Sequence, residues 1–279
     1  MVAVTLMWSI AGVVTRHLEQ ARSFEVTFWR SAFTALSLAV LLPLLQGRAV
    51  LGKLRHGGAA LWLSGVCWSV MFTAFMMALT LTTVANVLIT MAVGPFFTAL
   101  VARVFIGQRL ARRTWLAILA AGAGIAWMYG SQLGEGHLSG TLVALCVPVA
   151  AAVNWTVVQR SQAHGHDVDL VPAVLVGALI SSVVTLPLAW PLEASRHDLL
   201  LLALLGLVQL AIPCVLAVRC ARVLKAPEVA LLALLEVVFG ILWAWLGAGE
   251  APQPSVISGG LLVIGALVAN EWLAWRERP

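Results

Sequence analysis

Glu236 stands near the middle of Ala226–Glu250, an apolar run in which Glu228 and Glu250 are the only other charges. Of the twelve acids it alone is set deep in such a run; Glu25, Glu228 and Glu271 fall near predicted helix ends. An ionisable group carried into hydrocarbon is costly and tends to mark a functional site. A carboxyl there can take up a proton, receive the amino group of a ligand, pair with a base, or stay protonated and hydrogen-bonded to a neighbouring helix. Arg30 is the one basic residue inside a predicted helix interior. It can snorkel to the interface, pair with Glu25 close to one turn away, or hold a carboxylate.

Uncharged polar and aromatic side chains at depth complete the set. They are Trp8 and Ser9; Trp68, Ser69 and Phe72; Asn86 and Thr90, which four-residue spacing puts on one helix face; Asn154 and Trp155; Gln209; and Phe239 and Trp243 beyond Glu236. Amides in lipid need partners and so face the bundle interior, where they either glue helices or bind. Aromatic walls for a side chain, with amides and hydroxyls for a charged head, are what an amino-acid ligand needs.

Other chemistries lack their parts. An intramembrane enzyme needs paired acids, a nucleophile with its base, or metal ligands at depth. Here there is one deep acid and no deep histidine, so no catalytic residue is expected. Cys67, Cys146, Cys214 and Cys220 form no Cys-x-x-Cys motif, which argues against a disulfide framework or zinc site. His164 and His166 make a weak metal pattern that reads as a solvated loop. No metal or cofactor is expected. A channel would show a polar ring or selectivity loop, and neither is evident.

The elements that position these residues are membrane spans. Of 279 residues, 61% are hydrophobic and 10% charged, against about a quarter charged in soluble domains; mean hydropathy is +0.98. Ten helices are predicted, near 2–17, 24–45, 59–80, 84–106, 112–130, 138–160, 168–190, 198–222, 226–247 and 255–275. The fold class is therefore all-α and polytopic, with the lipid bilayer as its surroundings. With the N-terminus cytoplasmic, the inner connections hold 13 basic residues and the outer ones 3, so the positive-inside rule puts both termini in the cytoplasm. The net charge of +5 is thus membrane topology, and no nucleic-acid motif is present. Met1–Val14 lacks the basic start and cleavage site of a signal peptide. Trp62, Trp115, Trp190, Trp272 and Trp275 sit near helix ends as belt residues, while Trp8, Trp68, Trp155, Trp243 and Trp245 lie deeper.

Shifted by 142 residues, Ala78–Gln108 overlies Cys220–Glu250, matching Val87 with Val229, Phe97 with Phe239, Leu100 with Leu242, Ala102 with Ala244 and Gly107 with Gly249. The repeat predicts two five-helix units, 1–137 and 138–279. Because five is odd, the second enters the membrane from the opposite side, the inverted-repeat plan of secondary transporters with cargo near the midplane. Small residues at four-residue spacing, Ala117 and Ala121, Ala120 and Gly124, Ser255 and Gly259, Gly265 and Ala269, predict close helix packing that holds halves or protomers together. Pro148, Pro172, Pro187 and Pro213 are candidate kinks.

With Leu6-Met7-Trp8-Ser9, Phe28-Trp29-Arg30, Ala78-Leu79-Thr80, Gly94-Pro95-Phe96, Gly107-Gln108, Leu235-Glu236-Val237 and Gly249-Glu250 in this order, the whole chain resembles the EamA type of the drug/metabolite transporter (DMT) superfamily. Within it the pattern looks closest to YddG-type aromatic amino-acid exporters. The resemblance implies export of aromatic and other neutral amino acids across a bacterial inner membrane, with another small metabolite or drug as the alternative cargo; alternating access by a monomer without cofactor is the expected mode. Two positions depart from the family pattern: Gly107-Gln108 replaces a Gly-Glu, and Glu236-Val237 replaces a Glu-Pro. The second departure leaves a proline kink only in the first half, at Pro95.

Overall fold

The structure is a computed structural model. It describes the chain apart from residues 16, 22, 48–49, 51, 53, 55–57, 82–86, 88–89, 130–137, 164–168, 249–253 and 277–279. Among the described residues the secondary structure is helical, without strands. Among the described residues, five helices are long and apolar enough to span a bilayer: Phe24–Gln46, Ala59–Ala78, Leu138–Gln162, Pro172–Ala189 and Arg196–Ala221. Val2–Thr15, Gly94–Ile106 and Pro254–Asn270 are shorter apolar segments.

In chain order the helices are α1 (Val2–Trp8), α2 (Ala11–Thr15), α3 (Ser23–Gln46), α4 (Ala59–Leu81), α5 (Gly94–Ile106), α6 (Arg112–Tyr129), α7 (Leu138–Ala163), α8 (Pro172–Ala189), α9 (Arg196–Leu204), α10 (Ile212–Ala221), α11 (Ala226–Ala233), α12 (Leu235–Ala248) and α13 (Pro254–Arg276). A π-helical stretch, Leu205–Ala211, joins α9 to α10.

Three predicted spans are interrupted near their middles. The first breaks at Ser9 and Ile10, between α1 and α2. The fourth breaks at Ala92 and Val93, just before Gly94 and Pro95 open α5. The ninth breaks at Leu234, where the backbone switches to three-residue bonds, Leu234 N–H to Leu231 O (3.2 Å) and Val237 N–H to Leu234 O (3.1 Å). That second-half break needs no proline, contrary to the sequence expectation. Under the 142-residue shift the starts of α5 and α12 coincide to within one residue. Glu236, read from sequence as mid-helix, therefore lies in the first turn of α12.

The helices pack in a consistent set of pairs. α4 lies on α7 and α8, α3 on α8 and the π stretch, α5 on α7 and α11, α6 on α13, and α1 on α10 and α12. Glycine permits the closest approaches. A Cβ on Gly177 of α8 would sit 2.4 Å from Trp68 Cβ and 2.8 Å from Gly65 O; one on Gly124 of α6 would sit 2.8 Å from Gly259 O of α13. The α6–α13 seam uses the predicted Ala117, Ala121, Gly124 and Gly259, but Gly265 has open space beside it. The Gly65–Gly177 contact was not anticipated. Gly107, at φ +69°, ends α5 in a left-handed turn that glycine adopts without a Cβ clash. The outer face is apolar: Leu36, Val40 and Leu44 form an exposed stripe at four-residue spacing on α3, as lipid contact requires. Trp62, Trp190 and Trp272 are exposed, as expected of belt residues.

Candidate functional site

A cavity of about 130 Å³ lies where the interrupted helices meet the long ones. Trp8, Trp68, Phe72, Phe75 and Trp155 give it aromatic surfaces; Met71, Met91, Val147, Ala151, Leu210, Cys214 and Ala233 add apolar ones; Arg30, Gln209 and Glu236 are its polar groups. Trp68 meets Trp155 edge-on at 5.6 Å between ring centroids, and Phe72 tilts against Trp68 at 5.6 Å. Such pairs favour offset or edge contacts and hold one another's orientation. The volume is below the ~300 Å³ low end of small-molecule pockets, so cargo of amino-acid size requires the walls to part.

The helix breaks determine which polar groups reach the cavity. The break after Trp8 frees carbonyls on α1. Gln209 Nε2 donates to Trp8 O (3.3 Å), while Ser9 Oγ (2.8 Å) and Trp243 Nε1 (3.4 Å) donate to Leu6 O. Gln209 lies in the π stretch, whose altered ladder leaves carbonyls to be satisfied from outside. Thr34 Oγ1 donates to Gly206 O (3.1 Å) as well as to Arg30 O (2.7 Å). Gly206 must lack a Cβ there, since one would sit 2.6 Å from Phe33 Cβ.

Arg30 is 2% exposed. Its Nη2 donates to Phe72 O (3.1 Å) and its Nε has no hydrogen-bond partner. It does not pair with Glu25 as the sequence spacing allowed. Glu25 instead accepts from Trp29 Nε1 (3.3 Å) and from the backbone N–H groups of Glu193 (2.9 Å) and Ala194 (2.8 Å). Glu236 is half-buried and makes no hydrogen bond or ion pair among the described residues. The two cavity charges line the same space without forming a contact pair among the described residues.

Of the residues singled out from sequence, Trp8, Arg30, Trp68, Phe72, Trp155, Gln209 and Glu236 come together around this cavity. The others do not line it. Ser9 caps α1, and Ser69 and Thr90 are buried in the bundle. Asn154 is fully buried and accepts from Ser64 Oγ (2.6 Å), leaving its Nδ2 without a partner. Phe239 is partly buried outside the lining. Trp243 braces α1, and Asn86 lies outside the described residues, as do His164 and His166. No group of three metal-ligating side chains occurs among the described residues. Among the lining residues not singled out from sequence are Met71, Phe75, Met91 and Cys214; for Arg30 the sequence signal was a lone base inside an apolar helix.

A second acid was missed altogether. Asp198 is fully buried at the start of α9. It accepts from the backbone N–H groups of Glu19 (2.8 Å), Gln20 (3.0 Å), Ala21 (3.0 Å) and Ser195 (3.4 Å), while Ser195 Oγ accepts from Asp198 N–H (3.1 Å). Ser195-Arg196-His197-Asp198 is a capping box, which sequence could have revealed. With Glu25 it ties the segment before α3 to the segment before α9. At the opposite end of α3, Gln46 donates to Asp169, and Gln159 Oε1 accepts from Ala226 N–H (2.9 Å).

The model of the EamA-like transporter family matches the chain twice, over residues 1–130 and 138–270. The chain is 26% identical over 248 residues to the pseudopaline exporter CntI of Pseudomonas aeruginosa strains UCBPP-PA14 and PAO1, covering 88% of this chain and 84% of that protein. One solved crystal structure superposes with a TM-score of 0.77 at 17% identity, covering 99% of this chain and 96% of the other, which supports the fold alone. The two family matches together span most of the sequence: this chain belongs to the EamA-like transporter family, within the DMT superfamily, and is a multi-pass membrane protein.

Proposed function

We propose that this chain is a secondary transporter that exports small metabolites, aromatic and other neutral amino acids first among them, across a bacterial inner membrane with both termini in the cytoplasm. The observation that carries this reading is the cavity itself. It sets Arg30, Gln209 and Glu236 among the rings of Trp8, Trp68, Phe72 and Trp155, beside the breaks that precede α5 and α12. Interrupted helices at corresponding positions of two halves are where transporters of this plan hold cargo.

The packing supports ten spans in two inverted units. α3 and α8, α5 and α11, and α6 and α13 pack together. In predicted span order these are pairs two and seven, four and nine, five and ten, each a helix beside its own counterpart. The contact of α4 with α7, spans three and six, has its counterpart in α10 with α1, spans eight and one. A pseudo-two-fold axis requires this pattern, and rocking of one unit against the other would alternate access to the cavity.

A second reading follows from the relatives, whose name specifies pseudopaline: the cargo is then a different small metabolite. Counterflow in liposomes separates the two. Vesicles preloaded with tryptophan are expected to accumulate labelled tryptophan, with phenylalanine, threonine and methionine competing. Absence of counterflow for all four, with counterflow for pseudopaline, would replace the first reading by the second. A channel would show flux without trans-stimulation.

A further inference from the structure

We infer that Arg30 and Glu236 form a two-ended recognition site for a zwitterion, the guanidinium receiving a carboxylate of the cargo and the Glu236 carboxylate its ammonium group. The inference rests on the transporter reading above and narrows its substrate class.

Both charges line one cavity, yet each is left incompletely partnered. A guanidinium has five N–H donors; Arg30 spends one on Phe72 O, and its Nε has no partner although the residue is almost wholly enclosed. Buried polar groups are ordinarily satisfied, and an exception calls for an explanation. A cargo carboxylate is the natural acceptor, because guanidinium and carboxylate match in geometry and charge. Glu236 has no hydrogen-bond donor among the described residues and borders the same space.

The two side chains border the same cavity but do not meet, so each keeps its remaining valence for a ligand. With Glu236 ionised, the two formal charges cancel. A zwitterion enters without changing that sum and satisfies both ends. A simple amine or acid satisfies one end and leaves the other charge buried beside an apolar group. Sites that leave a buried polar partner unpaired discriminate strongly against the incomplete ligand. The rings of Trp8, Phe72 and Trp155 suit a flat apolar side chain.

Three labelled probes that share an indole test this in liposomes holding the full chain: tryptophan, tryptamine (amine only) and indole-3-propionate (acid only). Tryptophan is expected to be transported roughly tenfold or more faster than either one-ended probe, from the worth of one charge-assisted hydrogen bond. Glu236→Gln should slow tryptophan and close its gap to indole-3-propionate, while Arg30→Gln closes its gap to tryptamine. Because Arg30 also holds Phe72 O, Arg30→Lys is measured beside it and should keep the order of preference at reduced rate. A Glu236→Gln variant with unchanged selectivity, or a wild type that moves all three probes equally, overturns the two-ended site alone. A wild type that moves none of the three overturns the amino-acid reading and the two-ended site together.

Discussion

Asp198 and Glu236 are both acids carried into an apolar helical bundle, and they are housed in opposite ways. Asp198 opens α9 and is filled by four backbone N–H donors from two segments of the chain. Glu236 opens α12 and has no hydrogen-bond donor among the described residues. Glu25 is intermediate: its Oε1 receives Trp29 Nε1 and two backbone donors while its Oε2 is left over, as is the Nε of Arg30 farther along α3. Asp198 is consumed by structure; Arg30 and Glu236 at the cavity are held in reserve. Burial alone therefore does not identify a binding group. The difference lies in whether the protein has already supplied the partners.

The largest effect expected from breaking this contrast is on the anchored side. Asp198→Ala removes the acceptor of four N–H groups that join the segment before α3 to the start of α9. Some of those donors can turn to water, since Glu19 and Gln20 are exposed, so the loss should be about 1–3 kcal/mol rather than the sum of four bonds. Thermal unfolding in detergent should show a clear fall in Tm, and Asp198→Asn, which keeps one acceptor oxygen, a smaller one. An unchanged Tm for Asp198→Ala would mean that the network is decorative and would dissolve the distinction from Glu236.

The frame around the cavity should come next. Gly177→Ala places a methyl 2.4 Å from Trp68 Cβ and 2.8 Å from Gly65 O, so α8 and α4 must separate. Overpacking of this kind costs about 1–3 kcal/mol, and because Trp68 is a cavity wall, transport should fall with stability. Gly265→Ala is the control: nothing lies within 4 Å of its added carbon, and both measurements should stay at wild-type values. A stable Gly177→Ala protein with full transport would show that α4 and α8 can part without disturbing the cavity.

Much of this organisation is legible in sequence because a bilayer constrains it. Hydrocarbon demands apolar runs of set length, and Trp8, Trp68, Trp155, Gln209 and Glu236 stand out as deep aromatic or polar exceptions. Depth, however, says nothing about angular direction within the bundle. Ser9 and Asn154 are buried, yet one caps the Leu6 carbonyl and the other pairs with Ser64. Asp198 was hidden for a different reason: its donors at Glu19, Gln20 and Ala21 lie 177–179 residues away in the chain. The break at Leu234 carries no proline and is made by a local tightening of the helix, which has no residue signature.

The smallest stability effect should belong to Glu236. Glu236→Gln keeps the shape of the side chain and has no hydrogen bond within the described residues to lose. Arg30 retains Phe72 O, so removal of the opposite charge leaves it no less hydrogen-bonded than before. The change in unfolding free energy should therefore stay within about 0.5 kcal/mol, while transport of a zwitterion falls. That separation of stability from transport is the signature of a group kept unpartnered for cargo. If Glu236→Gln instead lowers Tm as far as Asp198→Ala does, Glu236 has structural partners of its own and belongs with Asp198 and Glu25.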